Sequence, residues 1–481
     1  MAQHQDAYFL DRNFALEIAS KKNRVNLGHP TIDGLQICYY DGEPLETPLP
    51  NLINVKLESL FEYFLFSRTR LPTTFVASDD TPHEIREIFI ATIGKVIEYQ
   101  NVASQALRAD ISSANPFEKF DGTLRVFLFS SRLTTVMQYA SKSMALAFER
   151  LGHKVFMSIE ENETEQLCAH HHLKALAEFN PHLIFSINHD DFFGVSFPDD
   201  VFRTIWWQDL MPPLLSGQRL SLRSRDSHYV PTTEFDPYFQ RCGITELRRQ
   251  SFCVDAEIFT PSLQSWRDNK VVFVGSSYKG HLSDLSLNSR HALAAMKAAF
   301  RSGESIDTVF CRKIASNFSL SYEYVLMNIL HYVVRDISVE WLCESSPIPV
   351  EIYGPGWEDN IKVKPFWCGE VPHGRDLASI YQGSKYSLVC HPFEINSQRL
   401  AEVAASGSIP IVYDSRGTSI EPHWSDDLLF YKTQSELVDH LSQGAGKPVP
   451  HIASHHSYDT FARKICANVF NQLRLGSDAS A

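Results

Sequence analysis

Twice along the chain a short run of β-branched, aromatic and aliphatic residues ends in a polar loop and gives way to a helical apolar period. The first unit is a strand at 124–129, the pair Ser130-Ser131, and a helical period over 135–151. Gly152 then stops the helix and a second strand follows at 154–157. The second unit is a strand at 270–274, a loop over 275–280 and a helix from about 288 to 300. Strands that alternate with helices pair in parallel, so the expected class is α/β, with two parallel sheets. Further strands are expected at 183–187, 204–207, 350–353, 386–390 and 409–412, with helices at 375–382, 397–405 and 458–473. Ligands of such sheets bind beyond the carboxyl ends of the strands. The loops there, and the cleft between two paired domains, are where a site is expected.

This reading divides the chain into an extension (1–123), a first α/β domain (124–262), a second (263–433) and a tail (434–481) whose helix packs back on the first domain. The extension has short apolar segments broken at Gly42-Glu43-Pro44 and Pro48-Leu49-Pro50, with amphipathic helices near 57–66 and 82–100. It carries a net charge of -6 and no chemical motif, which points to acceptor recognition or self-association as a homo-oligomer. The whole chain of 481 residues carries -13, which argues against nucleic acid as a partner, because phosphate neutralisation needs clustered cations. No window approaches the length of uncharged apolar residues a membrane span needs, and the start lacks a signal peptide, so a cytoplasmic protein is expected. The nine cysteines are scattered and odd in number, which suits buried free thiols.

The segment 386–412 concentrates the chemistry. A strand leads to a loop holding Glu394, and a helix starting near Asn396 carries Arg399 and Glu402 and stops at Gly407 before the next strand. The free amides around Asn396, Ser397 and Gln398 make an anion site at the helix start. Arg399 adds a fork-shaped donor for phosphate. Glu402 can accept from a sugar diol and Glu394 from a second set of hydroxyls. A phosphate cradle flanked by two carboxylates suits a nucleotide-sugar.

This segment resembles the GT-B glycosyltransferases, in particular the retaining group-1 families with an E-x7-E motif, here Glu394 and Glu402. Ile352-Tyr-Gly-Pro-Gly-Trp357, Gly369-Glu-Val371 and the order of residues 377–381 extend the likeness upstream. The placement of Arg399, with Val254-Asp255, Phe259 and Pro261, and Phe273-Val-Gly-Ser276, is more like the CgeB-like branch. The resemblance implies two Rossmann-like domains facing a cleft. It implies transfer of a sugar from a UDP- or GDP-sugar donor to a glycan or protein acceptor, with retention expected to proceed by front-face attack, since no protein nucleophile is evident. It places Glu402 on the ribose, Glu394 by the donor sugar, Arg399 and Lys279 on the diphosphate, Val371 at the base, and Gly275 and Ser276 in the donor loop.

On the first domain, His189 lies where retaining members have a histidine near the transferring carbon. Asp190, Asp191 and Asp209 are the alternatives as general base if the enzyme inverts. Ser130, Ser131 and Trp207 fall on the acceptor side, although core packing is the competing reading for Trp206 and Trp207. His170-His171-His172 and His455-His456 read as solvated loop, since consecutive residues chelate poorly. No metal and no other cofactor is expected; cations and helix dipoles take the ion's place. The competing functional readings are a catalytically inactive nucleotide-sugar-binding scaffold, and an epimerase or phosphorylase of the same fold.

Overall fold

The computed structural model describes residues 8–10, 37–39, 52–68, 70–71, 74–75, 82–132, 135–161, 165, 167–220, 222–262, 267–282, 285–392, 395–416 and 427–478. Near the start, β1 (Tyr8–Leu10), β2 (Ile37–Tyr39), β3 (Leu52–Asn54) and β4 (Thr74–Phe75) form a parallel sheet in the order β3-β2-β1-β4. Strands of two or three residues show no period, which is why the sequence did not announce this sheet.

The helix His83–Ser113 outruns its expected end at Gln100, because no Gly or Pro occurs between Gln100 and Pro116. Its first half buries Phe89, Ile93 and Val96 against Val55, Leu60 and Phe64. Its last turns carry Ile111 into the cluster of Phe127, Leu173 and Ile184. That cluster lines one face of the next sheet. There β5 (Arg125–Phe129), β6 (Lys154–Ser158), β7 (Leu183–Ile187), β8 (Phe202–Trp206), β9 (Asp226–Val230) and β10 (Leu247–Arg249) run in the order β10-β9-β8-β7-β5-β6. The pairings of β6, β5, β7 and β8 are parallel. Every residue of β7 and β8 is buried, as in a sheet covered on both faces.

The third sheet holds β11 (Asp268–Val274), β12 (Val350–Tyr353), β13 (Ser384–Val389), β14 (Ile409–Tyr413) and β15 (Leu429–Tyr431), in the order β12-β11-β13-β14-β15 and parallel throughout. Alternation along β11 sends Val271 and Phe273 into one core and Val272 and Val274 into the other. The first core is covered by Leu287–Arg301 and His331–Ser345, the second by Arg375–Gly383 and Gln398–Ser406. The expected α/β class with two Rossmann-like parallel sheets is therefore what the chain forms.

Contacts group residues 1–207 and 220–228 into one compact unit, and 208–219 with 229–481 into another. Within the second unit the final helix, Tyr458–Asp478, meets residues 229–255. Ser457 bridges Val254, Lys464 Nζ donates to Gln250 Oε1 at 3.0 Å, and Phe461 lies edge-on to Tyr229.

The histidine runs are not solvated loop. His170, His171 and His172 sit on the helix Ala169–Phe179, where His172 is buried, meets Ser158 Oγ at 2.8 Å and stacks on Phe193. Burial lowers its pKa to about 3. His456 is buried as well. The helical period of 169–179, with Leu173 and Leu176 on the same face, draws His172 inward. The described cysteines are free thiols, and Cys368 alone among them is exposed. Among the described residues no helix is long and apolar enough to cross a membrane.

Candidate functional site

The carboxyl ends of β11 and β13 and the start of Gln398–Ser406 bring a group of cations together. Ser397 caps the helix, its hydroxyl accepting from the Leu400 N–H, and both Asn396 and Ser397 are buried. One position into the helix, the Arg399 guanidinium reaches back over Phe273, 5.0 Å from the ring centre. It lies so close to Gly275 that a Cβ there would collide with Nη2, which explains the glycine.

Beside Arg399 stands Arg335, from the helix His331–Ser345. The residue is 6% exposed and its guanidinium lies 3.7 Å from the centre of the Tyr278 ring. Nη1 donates to the Ser276 carbonyl at 3.3 Å, while Nε is buried with no partner among the described residues. Burial lowers its pKa and the neighbouring charge of Arg399 lowers it further. Among the described residues neither arginine forms an ion pair. His391, just after β13, is pushed well below its ordinary pKa by burial, then by His331, Arg335 and Arg399. The His331 and His391 rings meet edge to face at 5.4 Å.

Asp336, next to Arg335 in the chain, carries a carboxylate that acts on Arg335, and the loop takes it up. It accepts from Ser277 Oγ at 2.5 Å and from the Tyr278 N–H at 3.0 Å. Burial raises its pKa to about 6 against the pull of those bonds and of Arg335. Trp357 Nε1 donates to the Gly275 carbonyl at 2.7 Å and fixes the other side of the turn. Lys279, expected beside Arg399, is exposed at the head of the turn Lys279–Leu282.

Glu402 is 5% exposed, and its Oε1 accepts from His373 Nε2 and from Gln398 Nε2, both at 2.8 Å. His373 follows the Gly369-Glu370-Val371 turn and lies 5.6 Å from Phe259. Burial pulls its pKa down, but the bond and charge of Glu402, with Asp255, push it up and prevail. Val371 is half-buried against the core that holds Val272 and Leu400. Gln398, Glu402, Phe259 and Asp255 are thus gathered around one histidine. Glu394 lies outside the described residues.

In the other unit, His189 is exposed, with its carbonyl accepting from Ser186 Oγ and its ring 5.9 Å from Phe192. Crowding by the surrounding protein lowers its pKa, and Asp191 and Asp190 oppose this. Asp190 is half-buried with its pKa raised by burial; Asp191 is exposed. Ser131 Oγ donates to Glu160 Oε1 at 3.0 Å, and Ser130 Oγ is buried with no partner among the described residues. Trp207 corrects its assignment to the acceptor side. It is 1% exposed, its indole N–H donates to His228 Nδ1 at 3.1 Å, and the two rings stack, so it offers no face to a sugar. Asp209, in the second unit, is exposed. Among the described residues no three His, Cys, Asp or Glu side chains are grouped as a metal site would need.

Sequence reasoning missed Arg335, His331, His391, Asp336 and His373. The signal available was Arg335-Asp336, a charged pair directly after the most apolar stretch of the chain, where charge is costly to bury without a purpose.

Residues 335–467 match a family described as glycosyl transferase-like, a span that starts at Arg335 and includes His373, Arg399 and Glu402. No curated protein matches the chain. Among solved structures, AviGT4, a glycosyltransferase involved in avilamycin A biosynthesis, is similar at 12% identity and a TM-score of 0.45, over 73% of this chain and 98% of its own. HepE of Anabaena in complex with UDP-glucose is similar at 10% identity and 0.40, over 73% and 99%. WaaG, a glycosyltransferase involved in lipopolysaccharide biosynthesis, is similar at 12% identity and 0.40, over 72% and 99%.

Proposed function

We propose that the protein is a GT-B glycosyltransferase that moves a sugar from a nucleoside diphosphate sugar to a glycan or protein acceptor, with retention. The observation that carries this is the Arg335–Arg399 pair, two adjacent guanidiniums at the carboxyl ends of parallel strands with no ion-pair partner among the described residues. Holding two like charges together out of water is costly unless an anion joins them. A diphosphate supplies that anion. As the glycosidic bond breaks, negative charge grows on the departing diphosphate, and preformed donors aimed at it lower the barrier. Arg335, Arg399 and the helix start at Ser397 provide such donors, with Lys279 at the rim. This reading needs no metal ion. Glu402, oriented by His373 and Gln398, takes the ribose diol, and Val371 meets the base.

Calorimetry with UDP and GDP tests the donor site. One of the two should bind to the wild type, and Glu402→Ala should weaken it by roughly 1.5–3 kcal/mol, the value of a hydrogen bond to a charged group. Unchanged affinity would remove Glu402 from the site. Transfer should also survive EDTA, and loss restored by Mn²⁺ would overturn the metal-free reading.

A further inference from the structure

The unit formed by 208–219 and 229–481 contains a cavity of about 300 Å³ that the donor chemistry does not use. The turn and helix at Thr233–Phe235 and Asp236–Arg241 form one wall. The helix Thr308–Asn317 and the turn Tyr322–Tyr324 form another. Its charged and phenolic lining is Glu234, Tyr238, Arg241, Arg312, Tyr322 and Glu323, and Thr308 adds a hydroxyl at the start of its helix. We propose that this cavity binds a neutral saccharide ring, and that the ring is the acceptor of the transfer; the acceptor role rests on the function proposed above, the saccharide binding does not.

Charge balance carries the first part of the argument. Two carboxylates face two guanidiniums, so the lining has no formal net charge. A phosphorylated or cationic ligand would bring a charge that nothing offsets. The Arg335–Arg399 group in the same unit has the opposite character, with cations in excess. The second part is hydrogen-bond character. Carboxylates only accept and guanidiniums only donate, whereas each sugar hydroxyl does both. A wall that mixes the two matches a ring of vicinal hydroxyls. The third part is shape. The Arg312 guanidinium lies 5.1 Å from the centre of the Tyr322 ring, and Arg241 lies 4.8 Å from that of Tyr238. Each arginine holds one face of its tyrosine, and the rest of the aromatic lining, with Phe235 and Leu326 beside it, offers apolar surface to the C–H face of a pyranose. Glu234 is half-buried, and burial raises its pKa against the pull of Arg312, so a hydroxyl donor there would satisfy a carboxylate with few water contacts.

Position links the cavity to the transfer. Leu326 in its wall belongs to the π-helical segment Val325–Leu330, and its carbonyl accepts from His331 Nδ1 at 3.0 Å. His331 in turn faces His391 beside the arginines. Met327, also in the wall, precedes Arg335 along the same continuous helix by about 12 Å of rise. Helix interruptions of the π kind recur at functional sites.

The test is saturation-transfer NMR and calorimetry on the full chain with methyl glucoside, methyl galactoside, methyl mannoside and glucose 6-phosphate. At least one neutral glycoside should bind saturably, with glucose 6-phosphate at least tenfold weaker. Glu234→Gln, a conservative change, and Thr308→Trp, which fills the cavity, should each weaken that glycoside tenfold or more and leave UDP or GDP affinity unchanged. No binding of any neutral glycoside, or unchanged affinity in both variants, overturns the proposal. Glycoside binding with neither UDP nor GDP bound leaves the cavity in place and removes the nucleotide-sugar function. Nucleotide binding with no glycoside does the reverse.

Discussion

Arg335 costs the folded chain something before any ligand arrives. It is buried, its Nε has no partner among the described residues, and Arg399 repels it. The stack on Tyr278 and the bond to Ser276 offset part of that cost. Arg335→Gln should therefore raise the Kd for the nucleoside diphosphate by about 10- to 100-fold, the loss of a charge-assisted bond. The melting temperature without ligand should not fall, because a buried charge is relieved. A steep fall in melting temperature with unchanged Kd would make Arg335 a structural residue. His373 behaves differently. Its pKa is raised in the folded state, so the stability it contributes is fully present below the unfolded value near 6.5 and is lost as pH rises through the folded value. The stability difference between wild type and His373→Gln should be larger at pH 6 than at pH 9 in urea unfolding. Equal differences would mean that the pair with Glu402 is not ionic. Glu402 and Arg399 were legible because a strand, a capped helix and a glycine stop bracket them. His373 was not, because its partner lies 29 positions away and only the fold brings the two together.

At the scale of elements, the helix Gln398–Ser406 was legible almost to the residue because both ends carry chemical marks. Ser397 caps the start, and Gly407 closes the end with φ at 78°. The end has a further lock that no local pattern shows. Arg267 donates to the carbonyls of Tyr381, Gln382 and Ser406, tying the ends of two helices together. A Cβ on Gly407 would come within 2.6 Å of Arg267 Nη2. Gly407→Ala should cost at least about 1–2 kcal/mol, the penalty for a left-handed alanine alone, and more if Arg267 must leave Ser406. Chemical denaturation measures this, and a change under about 0.5 kcal/mol would show that Arg267 yields freely. The helix through Val325–Leu330 and His331–Ser345 was illegible for the opposite reason. It is buried on nearly every side, so apolar residues occur around its whole circumference and no amphipathic period survives.

For the whole molecule, the open question is where the N-terminal block ends. A boundary at 123 follows from the change of pattern at Leu124, yet the packing of residues 107–117 argues for a boundary nearer the start of the long helix. Leu107 and Ile111 pack in the cluster of Phe127 and Ile184. The Pro116 carbonyl accepts from His182 Nε2 at 2.8 Å and from Arg125 Nη2 at 2.9 Å. The Phe117 ring lies 4.5 Å from that of His182, tilted by 42°, and meets Phe202 edge-on. A chain beginning at Phe120 loses all of these contacts. Each large apolar side chain taken from a core costs about 1.5–3 kcal/mol, against a total stability on the order of 5–15 kcal/mol. That chain should melt at a markedly lower temperature or aggregate. A chain beginning at Pro82 keeps the long helix and these contacts, although Phe89, Ile93 and Val96 lose Leu60 and Phe64. It should fold, as circular dichroism would report. It should also bind the nucleoside diphosphate within about twofold of the full chain, because Arg335, His373, Arg399 and Glu402 all lie in the other compact unit. Loss of nucleotide binding in a well-folded chain from Pro82 would place part of the donor site before residue 82. Cooperative unfolding of the chain from Phe120 at the full-length temperature would show that residues 107–117 only cover the first parallel sheet.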